Sequence, residues 1–336
     1  MTHTVTIKPS NQSFELQEDE CLLDGALREG LHMAYGCRNG ACGSCKARVL
    51  SGDIEHGVHQ ESTLSTAEKA QGFALFCQTK ALSDVVIECR EISALKDIVV
   101  RLMPCRVQTL TRLAPDVMHI TLRLPSSERL AFLAGQYIDI ISKAAPRRSL
   151  SIASPPHQEG LLELHLRNYG GPFSQFVFNT LKEKDILRFE GPLGTFFLRE
   201  DTQKPILFLA SGTGFAPIKA IIEHALHQKI PRAMSLYWGG RIKEDLYLHE
   251  LATEWAQHHG IHFVPVLSAL PPDDPWTGRR GLVHEAVMVD HPLLADYEVY
   301  ACGAPIMVES ARRDFINHCQ LPEESFFSDA FTPGAP

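Results

Sequence analysis

Apolar and polar positions alternate from the start of the chain. "TVTIKP" and "SFELQ" put every second side chain on one face and predict two short strands. "LLDGALREG" changes to helical spacing, a cysteine-rich loop follows, and the β-rich "DVVIECREI" closes the block, which reads as a small mixed α+β module over residues 1–92. After a short connector around "SALKDIVVR", residues 93–102, the pattern changes. From 103 to 200 the chain strings "CRVQTLTRL", "VMHITLRL", "QYIDIIS", "LLELHLR" and "DILRFEG" between Pro, Gly and Ser turns, which predicts an antiparallel β-barrel. From 201 to 336 apolar strands ("PILFLA", "MSLYW", "HFVPVL", "EVYAC") alternate with helical stretches such as "APIKAIIEHALHQ". That is the order of an α/β doubly wound parallel sheet. There is no internal repeat.

Composition narrows the class. The chain has 336 residues, 44% hydrophobic and 21% charged, as expected of a soluble multidomain globular protein. The opening "MTHTVTIKPS" has no apolar core behind a basic region, and no run of 18 apolar residues occurs, so neither export nor a membrane span is expected and the cytoplasm is the expected location. The net charge is −8; residues 1–92 carry 8 basic and 13 acidic side chains, leaving −5 there and −3 on the rest. This balance argues against nucleic acid and favours a partner with a basic protein patch.

Nine cysteines are present, and four of them group by spacing: Cys37, four residues, Cys42, two residues, Cys45, then 31 residues to Cys77. In a reducing compartment this favours metal over disulfides, and the spacing is that of a plant-type [2Fe–2S] cluster held by four thiolates. A structural zinc more often shows two separated C-x-x-C pairs, and one is present. Gly36, Gly40 and Gly43 are expected to supply tight, often positive-φ turns that aim amides at the sulfurs. With "YGCRNGACGSC" and the later "LFC", residues 1–92 resemble the plant-type ferredoxin domain, which implies a β-grasp-like fold and single-electron transfer.

The barrel block carries "RRSLSIAS", which resembles the flavin motif of the ferredoxin–NADP reductase family. The resemblance implies that Arg148 meets the flavin phosphate and Ser151 reaches the N5 edge of the ring. Leu150 stands where the family usually has a stacking tyrosine, so aliphatic packing replaces it and a restored tyrosine is expected to tighten flavin binding. "GGPFS", with Gly171 and Ser174, precedes the helix-like "QFVFNTL", and a helix N-terminus with glycine approach and a hydroxyl is a site for a pyrophosphate. FAD is favoured over FMN.

"PILFLA" runs into "SGTGFAP", a glycine turn between strand and helix where a dinucleotide pyrophosphate sits. Gly212, Thr213, Gly214 and Pro217 form G-x-G-x-x-P, not the dehydrogenase G-x-G-x-x-G. "YWGGR" and "YACGAPIMVESAR" match segments of the same reductase family that border NAD(P)H. By that resemblance Cys302 and Gly303 lie near the nicotinamide, Arg241 contacts the adenosine end, and Phe331 covers the flavin face. The plain alternatives are a small buried hydrophobe for Cys302 and a solvated loop arginine for Arg241.

Together these motifs imply a reductase in which NAD(P)H, with NADH favoured, delivers two electrons to FAD, which releases them singly to the [2Fe–2S] cluster. The final acceptor is another protein, a dehydratase or oxygenase component, and the chain is expected to act as a monomer. "EGPLGTFFLRED", "LASGTGFAPIKAI" and "YWGGR" resemble the reductases of CDP-6-deoxy-3,4-glucoseen formation first and those of aromatic-ring oxygenases second, which implies one of these as the expected subfamily. Arg38, Lys46 and Arg48 are candidate docking residues beside the cluster. Two other classes stay open: a redox sensor that carries the cluster without turnover, and a free-flavin reductase. His56 with His59, and His258, His259 and His262, have metal-like spacing but no cysteine or carboxylate partner nearby, and read as solvated turns.

Overall fold

The structure is a computed structural model and describes residues 2–331; the terminal "PGAP" lies outside the described residues. The chain forms two compact units, one over residues 2–98 and one over Val99–Phe331. No helix among the described residues is long and apolar enough to cross a membrane.

The first unit is a mixed five-stranded sheet in the order Ser13–Leu16, His3–Lys8, Val85–Glu88, Lys46–Ser51, Phe73–Leu75. Alternation works as predicted in the first strand, where Val5 and Ile7 are buried. That strand runs parallel to Val85–Glu88, so the ends of the module meet at the centre of its sheet. The helix Leu22–Arg28 opens with Cys21 as its cap, the thiol accepting the Asp24 amide at 3.4 Å. One cysteine outside the cluster motif thereby has a structural role.

In the second unit, six antiparallel strands lie in the order Arg148–Ser151, Tyr137–Ile141, Ile186–Leu193, Arg101–Ala114, Val117–Arg123, Leu161–Arg167. The two outer strands meet through a bridge between Ile152 and Leu164, which closes the sheet into a barrel. A six-stranded parallel sheet follows, ordered Arg279–Arg280, His262–Leu267, Met234–Gly240, Ile206–Ser211, Glu298–Gly303, Phe326–Ala330. Ile206–Ser211 is buried along nearly its whole length, as a strand covered on both faces must be. The chain leaves this strand in one direction for three strands and returns on its other side for two. The order therefore reverses between Ile206–Ser211 and Glu298–Gly303, and ligands of such sheets bind outside the carboxyl ends at that crevice.

Candidate functional site

The four cluster cysteines meet in two pairs. Cys37 is hydrogen-bonded to Cys42, and Cys45 to Cys77, with the shared protons raising Cys37 and Cys45 and lowering Cys42 and Cys77. A single tetrahedral zinc would draw all four sulfurs to about 3.8 Å of one another, from metal–sulfur bonds of about 2.3 Å. Among the described residues the compact group of three or more possible metal ligands lies elsewhere, at His119, Glu163 and His165. Two pairs suit two irons, each with two thiolates. The Cys37 amide points at Cys42 Sγ at 3.4 Å, and the Gly40 amide is bonded to Cys77.

Gly40 and Gly43 adopt φ of +78° and +77°, whereas Gly36 does not need positive φ. Crowding favours it instead: a Cβ there would stand 3.3 Å from both Cys42 Sγ and Ser44 Oγ. The expected docking cations are engaged within the unit. Arg38 pairs with Asp24 and Lys46 with Glu68, both at 2.6 Å, while Arg48 lies over the Phe73 ring.

On the barrel, Arg147 and Arg148 are adjacent but differently placed. Arg147 pairs with Asp139 and Glu190. The Arg148 side chain is half-buried with no hydrogen bond or ion pair among the described residues, and desolvation lowers its pKa. A phosphate is the group that such a guanidinium lacks. Leu150, 8% exposed, faces the same way as its cross-strand neighbour Ile138 and is part of the barrel's apolar core.

The helix near the expected pyrophosphate site starts earlier than the sequence suggested. It spans Pro172–Asn179 with Gly171 as N-cap, because proline's fixed φ and missing N–H suit the first helical position. Ser174 is consequently inside the first turn, its Oγ 3.0 Å from Asn168 Oδ1 and 2.9 Å from the Gly171 carbonyl oxygen. The first-turn amides receive no side-chain cap, and a Cβ on Gly170 or Gly171 would meet nothing within 4 Å, which leaves room for an anion.

In the parallel sheet, Gly212–Gly214 form a single tight turn leading into the helix Phe215–His227. Gly212 has φ of +54° and its carbonyl accepts the Trp238 indole N–H at 3.1 Å; that indole is stacked on Phe215. Gly214 serves packing: a Cβ would stand 2.1 Å from the Cys302 carbonyl oxygen. Thr213 is buried, and Pro217 lies in the helix's first turn, where its missing N–H is harmless. Arg241 has a side chain 71% exposed, and its amide donates to Asp245 Oδ2 at 2.8 Å. Gly303, at φ of +130°, could not carry a side chain, since a Cβ would lie 2.3 Å from Ser211 Oγ.

The tertiary structure brings distant residues together at the crevice. Ser151 Oγ donates to Asp329 Oδ2 at 3.3 Å, and Asp329 lies opposite Cys302 on the adjacent strand. Burial, then the Asp329 charge, pushes the Cys302 thiol well above its ordinary pKa and keeps it protonated. The Phe331 amide donates to the Gly303 carbonyl at 2.8 Å, and its ring packs on the nucleotide-domain core.

Sequence reasoning overlooked Asp329, whose one signal was an acid between the aromatics of "FFSDAF". It also overlooked His119, Glu163 and His165, which lie 44 residues apart or more across the first two and share a site only once strands Val117–Arg123 and Leu161–Arg167 pair. Of the histidines it did weigh, His56 and His59 are in edge-on ring contact at 6.3 Å, yet His59 Nδ1 lies 2.8 Å from the Gly57 carbonyl oxygen, and His258 Nδ1 lies 3.1 Å from that of Glu254.

Known proteins share this arrangement along the whole chain. Residues 5–82 match the 2Fe-2S iron-sulfur cluster binding domain, 104–198 the oxidoreductase FAD-binding domain, and 208–313 the oxidoreductase NAD-binding domain. The chain is 43% identical over 336 residues to the CDP-6-deoxy-L-threo-D-glycero-4-hexulose-3-dehydrase reductase of Yersinia pestis, covering 99% of each. It is 34% identical to reductase component 1 of the terephthalate 1,2-dioxygenase of Comamonas sp, covering 98% of each. Among solved structures, an Amycolatopsis cytochrome P450 reductase, GcoB, superposes with a TM-score of 0.79 at 32% identity, covering 99% of this chain and 100% of that one. Three cofactor domains in one order, matched end to end, place this chain in the family of NAD(P)H-dependent iron–sulfur flavoprotein reductases.

Proposed function

We propose that the crevice between barrel and parallel sheet is the hydride-transfer site, and that the electrons go to a dehydrase acting on a CDP-linked 6-deoxy-4-hexulose. FAD, when bound, supplies the conversion of a two-electron hydride into single electrons that the cluster can carry. Arg148 and the first-turn amides of Pro172–Asn179 hold its phosphates. Ser151, tied to Asp329, sets its hydroxyl at the reacting edge of the ring. The Gly212–Gly214 turn takes the nucleotide pyrophosphate, Arg241 the adenosine end, and Gly303 leaves space for the nicotinamide beside it. Cys302, kept as a neutral thiol, packs there without acting as a nucleophile. Phe331 shields the flavin face and moves aside for the nicotinamide.

The observation that carries the site reading is the 3.3 Å contact of Ser151 with Asp329, which joins the barrel's flavin strand to the strand end at the crevice. The acceptor reading rests on the end-to-end likeness to the Yersinia reductase. We read the chain as a cytoplasmic monomer that prefers NADH. An oxygenase component is the second reading of the acceptor, favoured by the Comamonas and Amycolatopsis relatives.

Anaerobic NADH should bleach the flavin and then the cluster. The reduced protein should support 3-deoxygenation when mixed with a CDP-6-deoxyhexulose dehydrase and its substrate. Turnover with a ring-hydroxylating oxygenase component and none with the dehydrase would transfer the assignment to the second reading.

A further inference from the structure

The two reactants of the proposed site are held by different domains, so their separation is an interdomain distance. The flavin edge belongs to the barrel strand ending at Ser151, and the nucleotide that carries the nicotinamide belongs to the turn that opens the helix Phe215–His227. Hydride transfer needs the reacting atoms about 3–3.5 Å apart, and a displacement of about 1 Å costs about 100-fold in rate. Something must therefore hold that helix against that strand.

Lys219 is placed to do so. It lies one turn into the helix and is 8% exposed, which is rare for lysine unless its charge is fully paired. Its three N–H donors have three acceptors: the Ala153 carbonyl oxygen at 3.2 Å, Glu163 Oε2 at 3.0 Å, and Glu223 Oε2 at 2.9 Å. Glu223 belongs to the same helix, but the other two belong to the barrel, where the Ala153 amide also donates to the Glu163 carbonyl at 2.7 Å. Ala153 is two residues beyond Ser151, and the neighbouring Ile152–Leu164 bridge is where the barrel closes. Lys219 thus fastens the nucleotide helix to the barrel seam beside the flavin edge.

Of the other links between these domains, Tyr247 with His165 and Arg167 with Asp245 reach the strand Leu161–Arg167, and His227 at the end of the same helix stacks on His157, four residues beyond Ala153. The nearby His119, Glu163 and His165 offer ligand atoms within 4.8 Å of one another, as a metal site would. The Glu163 oxygen that faces His119 at 3.6 Å is the one held by Lys219, so an ammonium already fills the cation's place.

We infer that Lys219 is a positioning residue for hydride transfer, fixing the distance between flavin edge and nicotinamide without touching either; this rests on the hydride-site reading proposed above. In the full-length holoprotein, Lys219→Met should slow the limiting rate of flavin bleaching by NADH about 10- to 100-fold, while the half-saturating NADH concentration changes less than about threefold. Lys219→Arg, which keeps the charge, should recover part of the rate. The pair Lys219→Met with Glu163→Gln provides a variant without the orphaned barrel carboxylate should the single one fold poorly. In the flavin-free chain, hydrogen exchange should rise at residues 151–154.

A limiting rate within twofold of wild type overturns the inference, even with a lowered Tm, and so does a raised half-saturating concentration at unchanged limiting rate. Wild-type protein that NADH does not bleach would instead remove the hydride-site reading. The exchange measurement would then decide alone whether Lys219 holds the seam, with unchanged exchange overturning it.

Discussion

The cluster loop and the hydride crevice solve the same problem, fixing several side chains around an electron carrier, at very different chain separations. Three of the four thiols lie within nine residues, and the loop's own glycines and amides shape the site. The crevice joins Ser151, Cys302 and Asp329, and its geometry depends on how two domains pack. A local site is set by short-range backbone conformation and a distant one by long-range packing, so single substitutions should affect the two differently.

The largest effect is expected at the local site. Cys42→Ser should remove the cluster's colour and cut cytochrome c reduction by about 100-fold or more, while NADH–ferricyanide activity, which needs the flavin alone, changes less than about twofold. A chain beginning at Ser93 should behave alike; equal loss of both activities would break the comparison. Next comes Asp329→Asn, which should slow flavin bleaching by NADH about 10- to 100-fold through misplacement of Ser151. Stopped-flow kinetics measures this, and the cluster spectrum should not change.

Packing sharpens the contrast further. Gly214→Ala, with its Cβ 2.1 Å from the Cys302 carbonyl oxygen, should cost about 1–3 kcal/mol in a denaturant melt. Gly171→Ala, with nothing within 4 Å, should cost less stability than Gly214→Ala, losing only the glycine's advantage as N-cap, and weaken flavin retention.

A comparable effect is expected from pH. Burial, helped by charge on His119 and Lys219, holds buried His165 well below its ordinary 6.5. The unfolded chain then binds a proton that the folded one refuses, so stability is full above about pH 6.5 and declines as the pH is lowered from there toward about 5. His165→Gln should flatten that slope in melts taken between those values.

The smallest effect concerns Leu150→Tyr. Its place beside Ile138 in the barrel core predicts a loss of about 1 kcal/mol from overpacking, with unchanged flavin retention. Tighter flavin binding would restore the stacking role that the motif implied.

Much of this was legible from residue types. Spacing alone singled out the four cysteines proposed as cluster ligands, which the structure brings together in two pairs, because a ligand loop works only with thiols at fixed offsets. Alternation and apolar runs marked most strands of the barrel and of the parallel sheet, but missed Lys46–Ser51 and Phe73–Leu75 in the first sheet. The early start of the helix at Pro172 was missed because a serine two residues on looked like the better cap. Gly36 was misjudged because crowding against Cys42 leaves no trace in the local sequence. Asp329 was overlooked because one acid near a chain end carries no periodicity.

The sequence by itself determined which cofactors this chain is built to use, since cysteine spacing, an arginine–serine strand and a glycine turn are each read over a few residues. Only the tertiary structure decided how the carriers' holders meet. Strand order, with its reversal between Ile206–Ser211 and Glu298–Gly303, and the burial of Lys219 against Ala153 and Glu163 arise from pairings between segments 56 residues apart or more. Pairings at such range are chosen by the packing of whole sheets and helices, and no local pattern encodes them.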